Sequence, residues 1–171
     1  MDDQRKFSLQ SQYELLHKQN PKYGVSSERL YPHINPLVKR LNPNSIIDYG
    51  CGRSRLLDRL VAPEKVRYDF AIPEYSVLPT DKKFDLCICT DVLEHIPESE
   101  LNTVITNLKQ LSDNHIVTIA LTEAFHKLPN GMNCHVTVKP KQYWMELLPG
   151  LHEVKKKKEF SPKFLFLTSI L

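Results

Sequence analysis

The sequence predicts an α/β fold: a sheet covered by helices on both faces and completed by a C-terminal β-hairpin. Three observations carry this. Short apolar runs alternate with stretches of helical spacing along most of the chain. Asp48-x-Gly50-x-Gly52 stands between the first apolar run and a helical stretch. The last residues read as two strands joined at Ser161-Pro162.

The elements follow in order. Residues 1–8 are polar. Residues 9–19 predict an amphipathic helix with Leu9, Tyr13, Leu15 and Leu16 inward, ended by Asn20-Pro21. Leu30, Ile34, Leu37, Val38 and Leu41 predict a second helix over 27–41, stopped at Asn42-Pro43-Asn44. Strands are expected at 45–49, 65–69, 84–89 and 115–120, with a helix over 53–60 and helix signals after the third strand through residue 111. Lys139-Pro140 opens a helix over 140–148, and two strands follow at 152–159 and 163–170. Residues 1–44 are thus expected to give N-terminal helices and a lid, and residues 45–171 the core of a single domain.

Composition excludes several classes. With 171 residues and a net charge of +3, the chain is less basic than a dedicated nucleic-acid binder. Cys51, Cys87, Cys89 and Cys134 form no CxxC pair, so they predict buried free thiols, with Cys87 and Cys89 on one face of a strand. The N-terminus has no apolar signal core, and no run of about 18 apolar residues exists to span a bilayer. The expectation is a soluble cytoplasmic protein without membrane contact.

The glycine loop carries the functional signal. Glycines between a strand and a helix let the backbone turn sharply and a ligand approach closely, and such ligands bind beyond the carboxyl ends of the strands. Asp69 follows Gly50 by 19 positions, at the end of the next strand, where a carboxylate can accept from both ribose hydroxyls. A strand–helix turn and a helix cap explain either feature alone; together they point to a nucleoside.

Ile46-Ile47-Asp48-Tyr49-Gly50-Cys51-Gly52 resembles motif I of the class I S-adenosylmethionine-dependent methyltransferases. Residues 84–96 (FDLCICTDVLEHI) resemble that family's FDLVxxxxVLEHI segment. The resemblance covers residues 40–171 and implies a Rossmann-like class I methyltransferase sheet with S-adenosylmethionine as cofactor and S-adenosylhomocysteine as product. By position, Asp48, Gly50 and Gly52, with Cys51 between the glycines, would line the methionine end. Asp69 would hold the ribose, and Thr90 and Asp91 would lie beside the sulfonium. Two departures stand out. Ser54 replaces the usual third glycine, and only 15 positions separate Asp69 from Phe84. A trimmed sheet is expected, its third strand and helix missing or reduced, with Phe70, Ala71 and Ile72 offering an apolar wall to adenine.

An oxygen acceptor needs help losing its proton, and His95, His126 and His135 are candidate bases. If a helix begins near Asp91, then Asp91, Glu94 and His95 share one face. They resemble the (Glu/Asp)-x-x-Glu-His motif of metal-assisted O-methyltransferases, including ubiquinone-pathway enzymes and the small-RNA 3′-end methyltransferase, in which a downstream histidine joins the set. His135 matches that role, and the implied ligand is Mg2+ or another divalent cation. The metal-free alternative has Asp91 on the cofactor, Glu94 at a helix dipole and His95 as a hydrogen-bonded, semi-buried histidine.

The long loop 122–138 suggests a lid or acceptor-binding segment, and Tyr23–Ser27 a cover over the cofactor carboxylate. Lys155–Lys158 reads as a solvated or edge-protecting strand, with nucleic-acid contact the alternative. Tyr143 and Trp144 read as core or pocket-wall residues. The expected activity is methylation of a hydroxyl on a small molecule or glycan. An RNA or DNA methyltransferase and a non-catalytic cofactor-binding module are the alternatives.

Overall fold

The computed structural model describes residues 8–154 and 163–170. Its strands are β1 (Ser45–Tyr49), β2 (Glu64–Tyr68), β3 (Leu86–Thr90), β4 (His115–Ala120), β5 (His152–Glu153) and β6 (Phe164–Thr168). They form one sheet in the order β2-β1-β3-β4-β6-β5. β1 to β4 are mutually parallel, and β6 runs antiparallel to β4 and β5. The helices are α1 (Leu9–Gln19), α2 (Tyr31–Leu41), α3 (Leu56–Arg59), α4 (Leu101–Leu111) and α5 (Lys141–Leu147).

Alternation along the strands divides the core in two. Ile47, Cys87, Cys89 and Val117 point to the face covered by α4 and α5, where Ile105, Leu108 and Trp144 are buried. Ile46, Leu86, Ile88 and Ile116 point to the other face, against Ile34 and Val38 of α2 and Leu56 and Leu57 of α3. All four cysteines are free and buried, and Cys87 and Cys89 share a face as expected. A third, smaller cluster joins Tyr13 and Leu16 of α1 to Ala71, Leu128 and Cys134.

The sheet is trimmed. Between β2 and β3 the described chain makes only the 3-10 turn Pro73–Tyr75, so β2 is an edge strand. No helix among the described residues is long and apolar enough to cross a membrane.

Several elements differ from expectation for local reasons. The stretch 27–41 divides into a 3-10 turn, Ser26–Leu30, and α2, which ends at Asn42 in the left-handed region. α3 is short because the turn runs on to Ser54, whose Oγ accepts from Leu56 N at 3.0 Å. The helix expected from Asp91 does not form. Pro97 holds Ile96 extended (φ −95°, ψ 132°), leaving two 3-10 turns, Leu93–His95 and Glu98–Glu100, before α4. Pro140 caps α5 rather than entering it. In α1, Gln12 and His17 are buried beside Tyr13 and Leu16, whereas Leu15 is exposed. β5 is described at His152–Glu153; residues 155–159 of the predicted strand, Lys155–Lys158 among them, and the Ser161-Pro162 turn lie outside the described residues.

Candidate active site

The first turn after β1 is built by backbone proximity. Gly50 and Gly52 have φ of +74° and +54°, a region that favours glycine. Gly50 N and Cys51 N both donate to Tyr68 O of β2, and Gly52 N donates to Asp69 Oδ2 at 2.9 Å. The segment 22–27 lies directly across this turn. Gly24 O accepts from Arg53 N at 3.0 Å, and Ser27 Oγ donates to Ser54 Oγ at 2.6 Å. Ser54, at the place of the missing glycine, thus serves the covering segment and starts α3.

A cavity of about 880 Å3 opens beyond the carboxyl ends of β1, β2 and β3. That volume is in the range of small-molecule and cofactor sites. Gly50, Gly52, Asp69, Phe70 and Asp91 line it, as do all three candidate histidines, His95, His126 and His135. Asp48, Cys51 and Thr90 are buried and do not line it. Asp69 has a structural duty besides facing the cavity, since its Oδ1 accepts from Ala71 N at 3.0 Å. Phe70 turns toward α1, its ring 5.8 Å from Tyr13, and Ile72 is core. Phe70 and Ala71 still line the cavity, as do Tyr49, Tyr68, Val92, Val104 and Asn107. The rings of Tyr49 and Tyr68 lie 4.8 Å apart.

Asp48 is 1% exposed, and neither carboxylate oxygen has a partner. Burial lifts its pKa to about 7, against the pull of Arg67 and with a further push from Asp69. The folded chain therefore holds this proton more tightly than the unfolded chain does. Stability is expected to fall as pH rises from about 4 to about 7, by on the order of a few kcal/mol. Asp48→Asn should reduce that slope, leaving the part due to Glu94, in urea melts compared at pH 5 and pH 8.

Asp91 is one of two non-glycine residues with positive φ among the described residues, at +54°. Strained backbone of this kind concentrates at functional sites. Its carboxylate accepts from Ser26 Oγ (2.7 Å) and Thr118 Oγ1 (3.2 Å) and lies 3.6 Å from Arg29. Asp91 is therefore held by Ser26 and Thr118 and stands outside the close group that Glu94 and His95 form.

Those two meet His135 instead. One ligand atom from each of Glu94, His95 and His135 lies within 4.8 Å of the others. Glu94 Oε1 accepts from Ala120 N at 2.6 Å, while Oε2 is buried without a partner. Burial, reinforced by Asp91, pushes the Glu94 pKa well above the usual carboxylate value. His95 Nδ1 lies 2.9 Å from Cys134 O, and His135 Nδ1 lies 2.6 Å from Thr122 O. A carbonyl only accepts, so each Nδ1 carries the proton and each Nε2 offers a lone pair. Desolvation, then the neighbouring His135, lowers the His95 pKa to about 3, so its ring is neutral at physiological pH. One carboxylate and two imidazoles grouped this closely are donor types that divalent transition metals take.

The sequence reading missed the roof. Tyr13 and His17 sit four apart on the inner face of α1, and both line the cavity. His17 Nδ1 is buried without a partner. His17 packs edge-on to Tyr23, and Tyr23 edge-on to His126, with centroids 5.1 and 5.7 Å apart. Beside His126, Phe125 is 97% exposed. A titratable residue on the inward stripe of α1 was the available signal.

No protein-family model matches the chain, and no curated protein matches it in sequence. Solved structures do. 1,6-Didemethyltoxoflavin-N1-methyltransferase from Burkholderia thailandensis, solved with 1,6-didemethyltoxoflavin and S-adenosylhomocysteine, aligns at a TM-score of 0.65 and 14% identity, covering 98% of this chain and 90% of that one. The methyltransferase domain of bacterial CtHen1 aligns at 0.58 and 17% identity, covering 85% and 99%. DhpI, solved with S-adenosylhomocysteine, aligns at 0.60 and 12% identity, covering 94% and 93%. The chain has the Rossmann-like fold of the class I S-adenosylmethionine-dependent methyltransferases, in trimmed form.

Proposed function

We propose that this protein is an S-adenosylmethionine-dependent methyltransferase acting on a hydroxyl of a small molecule or glycan, with a divalent cation at Glu94, His95 and His135. One observation carries the reading. One and the same cavity is lined by the glycine turn, Asp69, His95 and His135. An open cavity beside Asp91 and His95 also argues against a cofactor-binding module that lacks an acceptor side.

When bound, S-adenosylmethionine supplies a methyl group on a good leaving group, so this chain's residues have mainly to orient and deprotonate the acceptor. In this reading Asp69 accepts from the ribose hydroxyls through its remaining lone pairs. Gly50 and Gly52 give the methionine portion close access to the backbone. Tyr68, Val92, Val104 and Asn107 receive the base, in place of the missing third strand. Ser26 and Arg29 close the carboxylate end, and residues 1–44 act as the cover of a core formed by 45–171. A cation on Glu94, His95 and His135 would supply Lewis acidity to an acceptor hydroxyl. Two imidazole donors suit Mn2+, Co2+ or Zn2+ better than Mg2+. In this reading His126, which lines the same cavity, receives the proton.

The cavity mouth supports a small acceptor. Glu100 and Glu123 share the lining with Lys22, Arg29 and Lys163, so the described rim is not a continuous basic face. The test is transfer of labelled methyl from S-adenosylmethionine into fractionated cell extract, before and after chelation and dialysis. Label is expected in a low-molecular-weight or glycan fraction, with activity lost on chelation and restored by Mn2+. Label confined to nucleic acid would refute the acceptor class. Activity indifferent to chelation would refute the cation.

A further inference from the structure

The reading of Glu94, His95 and His135 as a cation site leaves one buried group unexplained. The Tyr13 hydroxyl belongs to α1, 82 positions from His95, yet it reaches into the donor set. Tyr13 is 4% exposed. Its hydroxyl donates to Cys134 O at 2.7 Å and lies 2.9 Å from His95 Nδ1. The hydroxyl has one proton, and the Cys134 carbonyl takes it. The proton between Tyr13 and the imidazole must then be that of His95 Nδ1, which Cys134 O also faces at 2.9 Å. The three atoms form a closed triangle with no spare donor.

Two consequences follow. The triangle keeps the His95 proton on Nδ1, which leaves Nε2 as the lone-pair nitrogen of a ring grouped with Glu94 and His135. It also anchors the backbone at Cys134, the residue that precedes His135. Partners of this kind fix ring orientation and tautomer in metal sites, and losing one typically lowers metal affinity by 10–100-fold.

We propose that Tyr13 is a positioning residue, whose hydroxyl ties α1 to His95 and Cys134 and so places two of the three cation donors. Tyr13→Phe keeps the ring, which packs edge-on against His95 with centroids 5.6 Å apart, and removes only the hydroxyl.

The experiment is Co2+ titration of the full chain, wild type against Tyr13→Phe, followed by visible absorption and calorimetry. Thermal midpoint and S-adenosylhomocysteine affinity are measured on the same samples. The expected result is a roughly 10–100-fold weaker Co2+ affinity with an altered Co2+ spectrum, and a cofactor affinity changed by less than about twofold. Unchanged Co2+ affinity overturns the proposal. So does an equal fall in cofactor affinity, which marks a purely structural role. A metal-free measurement separates this proposal from the cation reading: long-range 1H–15N correlation of the His95 ring. Wild type should show the Nδ1-protonated tautomer, and Tyr13→Phe a shifted Nδ1 resonance. A wild-type ring protonated on Nε2 overturns the role of Tyr13. A wild-type chain that takes up no Co2+ overturns the cation reading and, with it, the placing of cation donors by Tyr13.

Discussion

Asp69→Ala is expected to weaken S-adenosylhomocysteine binding by at least about 100-fold. A carboxylate accepting two ribose hydroxyls contributes hydrogen bonds to a charged group worth roughly 1.5–3 kcal/mol each, and about 2.7 kcal/mol corresponds to a factor of 100. The same carboxylate accepts from Gly52 N and Ala71 N, so alanine also frees two backbone donors at the glycine turn. Asp69→Asn keeps one acceptor oxygen for the turn but sets its amide NH2 against the other backbone donor and one ribose hydroxyl, so stability and affinity should both fall, affinity by roughly tenfold or more. Calorimetry gives the affinity and thermal unfolding the stability. An Asp69→Ala variant that binds as well as wild type removes the ribose role.

The second large effect is on stability. At Gly52 an added Cβ would lie 2.5 Å from Gly24 O and 3.0 Å from Gly24 Cα, both backbone atoms, and φ is +54°. Gly52→Ala must therefore accept a left-handed conformation, at roughly 1–2 kcal/mol, and also push the covering segment off the turn. The expected total is about 3 kcal/mol, or a fall of roughly 6–12 °C in thermal midpoint. Gly131→Ala is the control, because its φ of +87° imposes the conformational cost but no atom lies within 4 Å of the added Cβ. A Gly52 variant no less stable than the Gly131 variant would show that the crossing of Gly24 over Gly52 contributes nothing.

What could be read from the sequence was what local patterns encode. Ser45–Tyr49 followed by Gly50-Cys51-Gly52 gave a buried strand and its turn, and both formed. The short interval from Asp69 to Phe84 gave the trimmed sheet with β2 at its edge. Residues 9–19 gave α1 to the residue. The readings that changed depended on geometry the pattern does not carry. Asp91, Glu94 and His95 share a face only if residue 91 begins a helix, and its left-handed φ of +54° excludes that, while Ile96 before Pro97 is extended. Asp91 then turns to Ser26 and Arg29, a contact across 65 positions for Ser26. His135 reaches Glu94 and His95 because the loop 122–138 folds back over β3 and β4, with Thr137 N donating to Glu94 O. Tyr13 and His17 were legible as inward residues of α1, but what they face depends on where α1 docks.

The central claim is that this cavity binds S-adenosylmethionine. Titration of S-adenosylhomocysteine into the purified chain by calorimetry tests it most directly. The expected result is saturable one-to-one heat, with a stabilisation of about 2.7 kcal/mol at 100 times the dissociation constant. No heat and no shift in thermal midpoint at millimolar ligand would contradict it.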